Sequence, residues 1–176
     1  MAVERAAWAP LLASDPLPPG LHLAVGARDL PARFLRALAP ALARGGGLFW
    51  IDAGNGFDAY GFSAAARALG FNPAPLLARV RLARAFNFWQ LETLVTKKLP
   101  ALWRGEPVAV SDILAPFYDE DAPWPQARAA FGRVCAGLKA LPASWLILAV
   151  EREPPAGRRP LLPELVGLAR GWRSAT

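Results

Sequence analysis

The strongest constraint on the fold is a repeated pattern. Five short apolar runs occur along the chain: LHLAV (Leu21–Val25), LFWID (Leu48–Asp52), VRLARA (Val80–Ala85), VAVS (Val108–Ser111) and WLILAV (Trp145–Val150). Longer stretches with helical spacing separate them. Runs this short, apolar at nearly every residue and bounded by glycine or an acid, predict strands buried on both faces, which belong in parallel sheets covered by helices. The alternation predicts an α/β domain of three layers, with a mainly parallel twisted sheet of about five strands and helices on both faces.

The helical stretches have recognisable ends. Leu30–Ala43 places Phe34, Leu35, Leu38 and Leu42 close to helical spacing, and Gly45, Gly46 and Gly47 stop it. A helix from about Ala59 to Leu69 ends at Gly70. Asn72-Pro73-Ala74-Pro75 reads as a turn or one short helical turn. Asn87 can cap a helix running to about Trp103, which Pro100 should kink or interrupt. Gln126–Leu141 turns Ala130, Val134, Leu138 and Leu141 inward, and Pro142 closes it. Residues 1–20, with Pro10, Pro16, Pro18 and Pro19, read as an extended arm that carries Trp8. The core is expected over 21–151. Residues 152–176 read as a Pro/Arg loop and a short helix from Pro163 to Trp172.

Composition narrows the function classes. A chain of 176 residues suits one domain with a real core. No apolar run approaches the roughly 18–20 residues of a membrane span. The N-terminal residues lack a secretory pattern, so a cytoplasmic protein with no membrane partner is expected. One cysteine, Cys135, excludes an internal disulfide and is expected to be a structural thiol. With His22 as the only histidine, neither a zinc site nor a Ser/His/Asp triad can be assembled. The formal charge of +6 is almost wholly arginine and permits nucleic acid or an acidic partner.

The loop after the first strand is the position most open to chemistry. Phosphate loops read G-x-x-x-x-G-K-[ST], because backbone N–H groups wrap the β-phosphate while a lysine neutralises it and a hydroxyl meets Mg²⁺. Here Gly26 opens that frame, but Pro31, Ala32 and Arg33 stand at the Gly, Lys and Ser/Thr places. Proline has no N–H to donate. Arg28 and Arg33 are the cations that could replace the lysine. The expectation is no cofactor, no metal and no catalytic residue.

The order of pieces resembles the core domain of the RecA/RadA recombinase family, nearer its archaeal–eukaryotic branch. The residues that carry the resemblance are LFWIDAGNGF (Leu48–Phe57), LGFNP (Leu69–Pro73), RLARAFNFWQLETLV (Arg81–Val95) and VAVSDILAPFY (Val108–Tyr118). It covers about residues 20–151. It implies that Asp112 corresponds to the acid of the Walker B strand, which helps hold Mg²⁺. It also implies departures. Gly54-Asn55 stands where the family has its catalytic glutamate, with no carboxylate until Asp58. Val150-Glu151-Arg152 replaces the residue that senses the γ-phosphate. The first DNA-binding loop is acidic here (Asp119, Glu120, Asp121).

The resemblance therefore implies a non-catalytic paralogue, an accessory or regulatory protein in DNA repair or recombination. Its expected partner is another protein, a recombinase or a second copy of itself. Trp8, Trp124 and Trp172, in or beside Pro-rich or terminal segments, are the candidate partner-binding residues. Two alternatives stay open. One is direct DNA binding through Arg158 and Arg159; the other is an unorthodox NTPase using Arg33 and Asp112. Phe86, Phe88 and Trp89 are expected to pack in the core rather than stack on bases.

Overall fold

In a computed structural model of the chain, residues 18–175 are described, the last five for their backbone alone. Six strands form one sheet: β1 (Gly20–Gly26), β2 (Leu48–Asp52), β3 (Val80–Arg84), β4 (Val108–Ser111), β5 (Ser144–Val150) and β6 (Gly171–Ala175). Their order is β3-β2-β4-β5-β1-β6 and every pair is parallel. The five expected strands are all present. The sixth is a correction: the helix expected to reach Trp172 is α8 (Leu162–Leu168), and the chain then adds an edge strand to β1, with Trp172 opposite Leu23. The tail is thus part of the sheet.

Helices cover both faces, as strands apolar on every residue require. On one face lie α5 (Phe88–Thr93), α6 (Leu99–Leu102), α7 (Trp124–Ala140) and α8. They bury Leu91, Val95, Leu99, Phe131, Val134 and Leu165 against Leu23, Ile51, Val110 and Ile147 of the strands. On the other face lie α1 (Leu30–Ala37), α2 (Ala39–Ala43), α3 (Ala59–Ala68) and α4 (Pro73–Leu77). Phe34, Leu35, Phe62 and Leu76 pack there on Ala24, Trp50, Ala109 and Leu148. Successive strand residues serve opposite faces, so β2 gives Phe49 and Ile51 to the first layer and Leu48 and Trp50 to the second. The architecture is the three-layer α/β arrangement expected.

Prolines account for two departures in the helices. The single helix expected over Leu30–Ala43 breaks at Leu38, because Pro40 has no amide to continue the ladder; the Leu38 N–H bonds to Leu35 O instead. The helix capped by Asn87 widens into a π-helical turn at Leu94–Lys98 just before Pro100, with the Leu99 N–H bonded to Leu94 O. The Asn87 side chain does accept from the Gln90 N–H, at 2.9 Å.

Candidate functional site

The chain leaves β2 toward one face and the adjacent β4 toward the other. Loops part at such a place, and open α/β sheets hold their ligands there, outside the carboxyl ends of the strands. A crevice of about 510 Å³ lies at this end, lined by Arg28, Pro31, Gly54 to Gly56, Asp112, Ala115 and Val150 to Arg152.

Its floor is built from the turn between β1 and α1. Only Ala27, Arg28 and Asp29 separate Gly26 from the helix, and the turn closes on itself. The Leu30 N–H bonds to Ala27 O at 2.9 Å and the Arg33 N–H to Asp29 O at 2.9 Å. Pro31 is buried, and a Cβ added at Gly56 would meet it at 3.3 Å. Ala32 is half-buried on α1 and has no polar group to offer. Arg33 turns back to Asp29, with Nη1 3.5 Å from Oδ1, and Arg28 rather than Arg33 lines the crevice with Asp112.

Asp112 ends β4 in a left-handed conformation, with φ of +50°. It is buried against Gly54, whose missing side chain makes the room: a Cβ there would lie 2.4 Å from Asp112 Cβ. Arg152, just past β5, forms an ion pair with its carboxylate. Burial nevertheless holds the Asp112 carboxyl above its ordinary range, and the pull of Arg152 and Arg28 only partly offsets this.

Asp52, at the end of β2, has a different task. It is buried and accepts hydrogen bonds from Gly56 N–H (2.8 Å), Phe57 N–H (3.3 Å) and Ser111 Oγ (2.8 Å), with Arg84 Nε 3.5 Å away. Those bonds hold the loop 53–57, in which Asn55 has φ of +53°. Asp58 is the N-cap of α3, accepting from Gly61 N–H at 2.8 Å, and pairs with Arg36. The carboxylates near the second strand are therefore engaged with backbone and arginine.

These residues do not fit a triphosphate with its Mg²⁺. Such a group needs a wrapped run of free amides, a lysine and a hydroxyl. The turn offers a proline packed on Gly56, Leu30 and Arg33 amides bonded to Ala27 and Asp29 carbonyls, and an aspartate paired with an arginine. Among the described residues no group of three or more His, Cys, Asp or Glu is placed to hold a metal.

The remaining candidates lie apart from the crevice. Arg158 donates to three main-chain carbonyls, Phe117, Glu120 and Ala122, each at 2.9 Å, and its guanidinium stands 5.7 Å from the Trp124 ring. It braces the acidic loop, and Trp124 is half-buried against the core. Arg159 is exposed. Trp8 and the side chain of Trp172 lie outside the described residues. His22 Nε2 is 3.0 Å from Pro18 O. Cys135 is half-buried, and burial pushes its thiol up to about 11, as suits a structural thiol.

One expectation is corrected for two aromatic residues. Phe88 is buried, but Phe86 is 69% and Trp89 50% exposed. They lie just past the edge strand β3, where Leu82 (43%) and, on α6, Leu102 (52%) are exposed too. The outer edge of β3 carries no strand among the described residues. The signal for this was the strand's own composition: Arg81 and Arg84 fall on opposite faces of β3, and Leu82 shares its exposed face with Arg84.

The fold and the crevice define an α/β protein with a parallel sheet and a closed switch-point cleft. No protein-family model matches the chain, and no curated protein is significantly similar to it. No helix among the described residues is long and apolar enough to cross a membrane.

Proposed function

We propose that the protein is a non-catalytic RecA/RadA-like paralogue that serves as an accessory or regulatory protein in DNA repair or recombination by binding a protein partner. The observation that carries this reading is the apolar edge at β3. Four large apolar side chains, Leu82, Phe86, Trp89 and Leu102, stand exposed around a strand edge with unpaired backbone groups. Such edges invite another strand, and exposed aromatics anchor protein contacts. The crevice supports the non-catalytic half of the reading, because its own ion pair and Pro31 occupy the places a nucleotide would use.

Charge narrows the partner. Arg79, Arg81 and Arg84 lie on or beside β3; Arg81 pairs with Glu106 and Arg84 stands 3.5 Å from Asp52, so the edge keeps a cationic character that is partly met within the chain. Two copies joined edge to edge would set arginine against arginine, which is unfavourable. A partner segment carrying acidic and apolar residues suits the edge better than a second β3.

The test is binding of the purified chain to a RecA-type recombinase, followed by fluorescence anisotropy. Changing Phe86 and Trp89 together to Ser should weaken binding at least about thirtyfold while the fold is kept. Equal binding by the variant would contradict the reading. Direct DNA contact by the tail would fall to Arg159, since Arg158 is bonded to carbonyls. DNA affinity that falls steeply with salt and is lost in Arg159→Ala would favour that alternative.

A further inference from the structure

Residues 151–161 follow β5; Glu151 and Arg152 wall the crevice, and the segment beyond them is tied down at separate points. The Glu151 N–H bonds to Gly26 O at 2.8 Å. Arg152 pairs with Asp112 inside the crevice. Arg158 grips the carbonyls of Phe117, Glu120 and Ala122 and stacks over Trp124. At the far end Leu161 is buried, and its N–H bonds to Tyr118 Oη at 2.8 Å. Between these points the chain turns at Gly157, whose φ of +77° suits glycine, and residues 151–153, 156 and 157 are exposed.

The fastenings differ in kind. Val150 is held within the sheet and Leu161 within the core, so both ends are fixed by burial. Arg152 and Arg158 are half-exposed side chains holding polar groups, contacts that water can replace. Segments with few buried apolar contacts open locally at far lower cost than the core they lie on.

We infer that residues 151–161 form a strap that walls the crevice at Glu151 and Arg152 and opens as a unit, with Arg152 and Arg158 as its releasable fastenings and the Tyr118–Leu161 contact as its hinge. Opening removes the Arg152 wall, frees the Asp112 carboxylate toward solvent and unbraces the acidic loop at Asp119 to Asp121. Opening thus widens the crevice at its Glu151–Arg152 wall.

Hydrogen exchange read by mass spectrometry on the full chain tests this. In the unaltered protein the non-proline amides of 151–161 should exchange well before those of β5. Arg158→Ala should speed exchange in 151–161 and in 118–122 by roughly tenfold or more and leave β1 and β5 unchanged. Arg152→Gln should speed the first half of the strap and leave 118–122 unchanged. Exchange of 151–161 as slow as that of β5, or Arg158→Ala acceleration spread evenly over the sheet, would overturn the inference. So would no acceleration in either variant.

Discussion

The two ends of interest in this molecule manage their exposed groups in opposite ways. At the crevice most polar groups meet one another: Asp112 Oδ2 meets Arg152, though its Oδ1 is buried with no hydrogen-bond partner, Asp52 holds a loop and a serine, and the Leu30 and Arg33 amides bond to nearby carbonyls. At the β3 edge, large apolar side chains are left exposed and no further strand pairs with β3 among the described residues. Burying an unmet polar group costs more than meeting it yields, so a site that has closed on itself has little affinity left to offer. An exposed apolar edge is the reverse: it stabilises nothing until something covers it. The difference teaches where a partner would find free energy to gain, and it points to the edge.

The largest effect should come from breaking the closed end at its most buried contact. Asp52→Ala strands the Gly56 and Phe57 amides and the Ser111 hydroxyl, and should lower stability by about 2–4 kcal/mol in urea unfolding. A loss below about 1 kcal/mol would mean that the loop 53–57 is held by other means.

Asp112 sharpens the comparison through pH. Its folded carboxyl holds its proton to higher pH than the unfolded one, because of burial. The native state then binds more protons across that window, so stability falls as pH rises through it, and the cost is absent below the ordinary carboxylate range. Asp112→Asn should flatten this slope, by about 1 kcal/mol or less, in urea midpoints measured from about pH 4 to about pH 7. A variant with the same slope would show that Arg152 compensates the carboxylate fully.

The smallest effect on stability belongs to Phe86, at the open end. Phe86→Ser removes a mostly exposed ring and should change stability by only about 0.5 kcal/mol, while Trp89→Ser, whose ring is half-covered and lies 4.0 Å from Phe88, should cost about 1–2 kcal/mol. The same variants should show a large loss of partner binding. Strong destabilisation by either would mean that these rings brace the fold and are not a free surface.

β1, β2, β4 and β5 were legible because they are buried on both faces, which leaves an apolar run that little else explains. The alternation of Val80–Arg84 also showed, but its meaning as an edge did not, because sidedness depends on which strand lies next to it. Phe86 and Trp89 flank the buried Phe88, and three neighbouring apolar residues do not say which of them turns outward. The end of the tail was misread for a related reason. Gly171–Ala175 becomes a strand only because β1 has a free edge beside it, a tertiary fact with no local signature. Arg152 meets Asp112 and Arg158 meets the 117–122 carbonyls across about forty residues of chain, so an arginine in a Pro/Gly loop read as a free cation. That Pro31 offers no N–H beside the turn after β1 was readable in advance, since proline lacks it wherever it sits.

The decisive experiment is titration calorimetry of the purified chain with ATP and Mg²⁺. No saturable heat and no thermal shift are expected, because Pro31 has no N–H to offer and Arg152 pairs with Asp112. Saturable binding that disappears in Asp112→Ala would contradict this expectation.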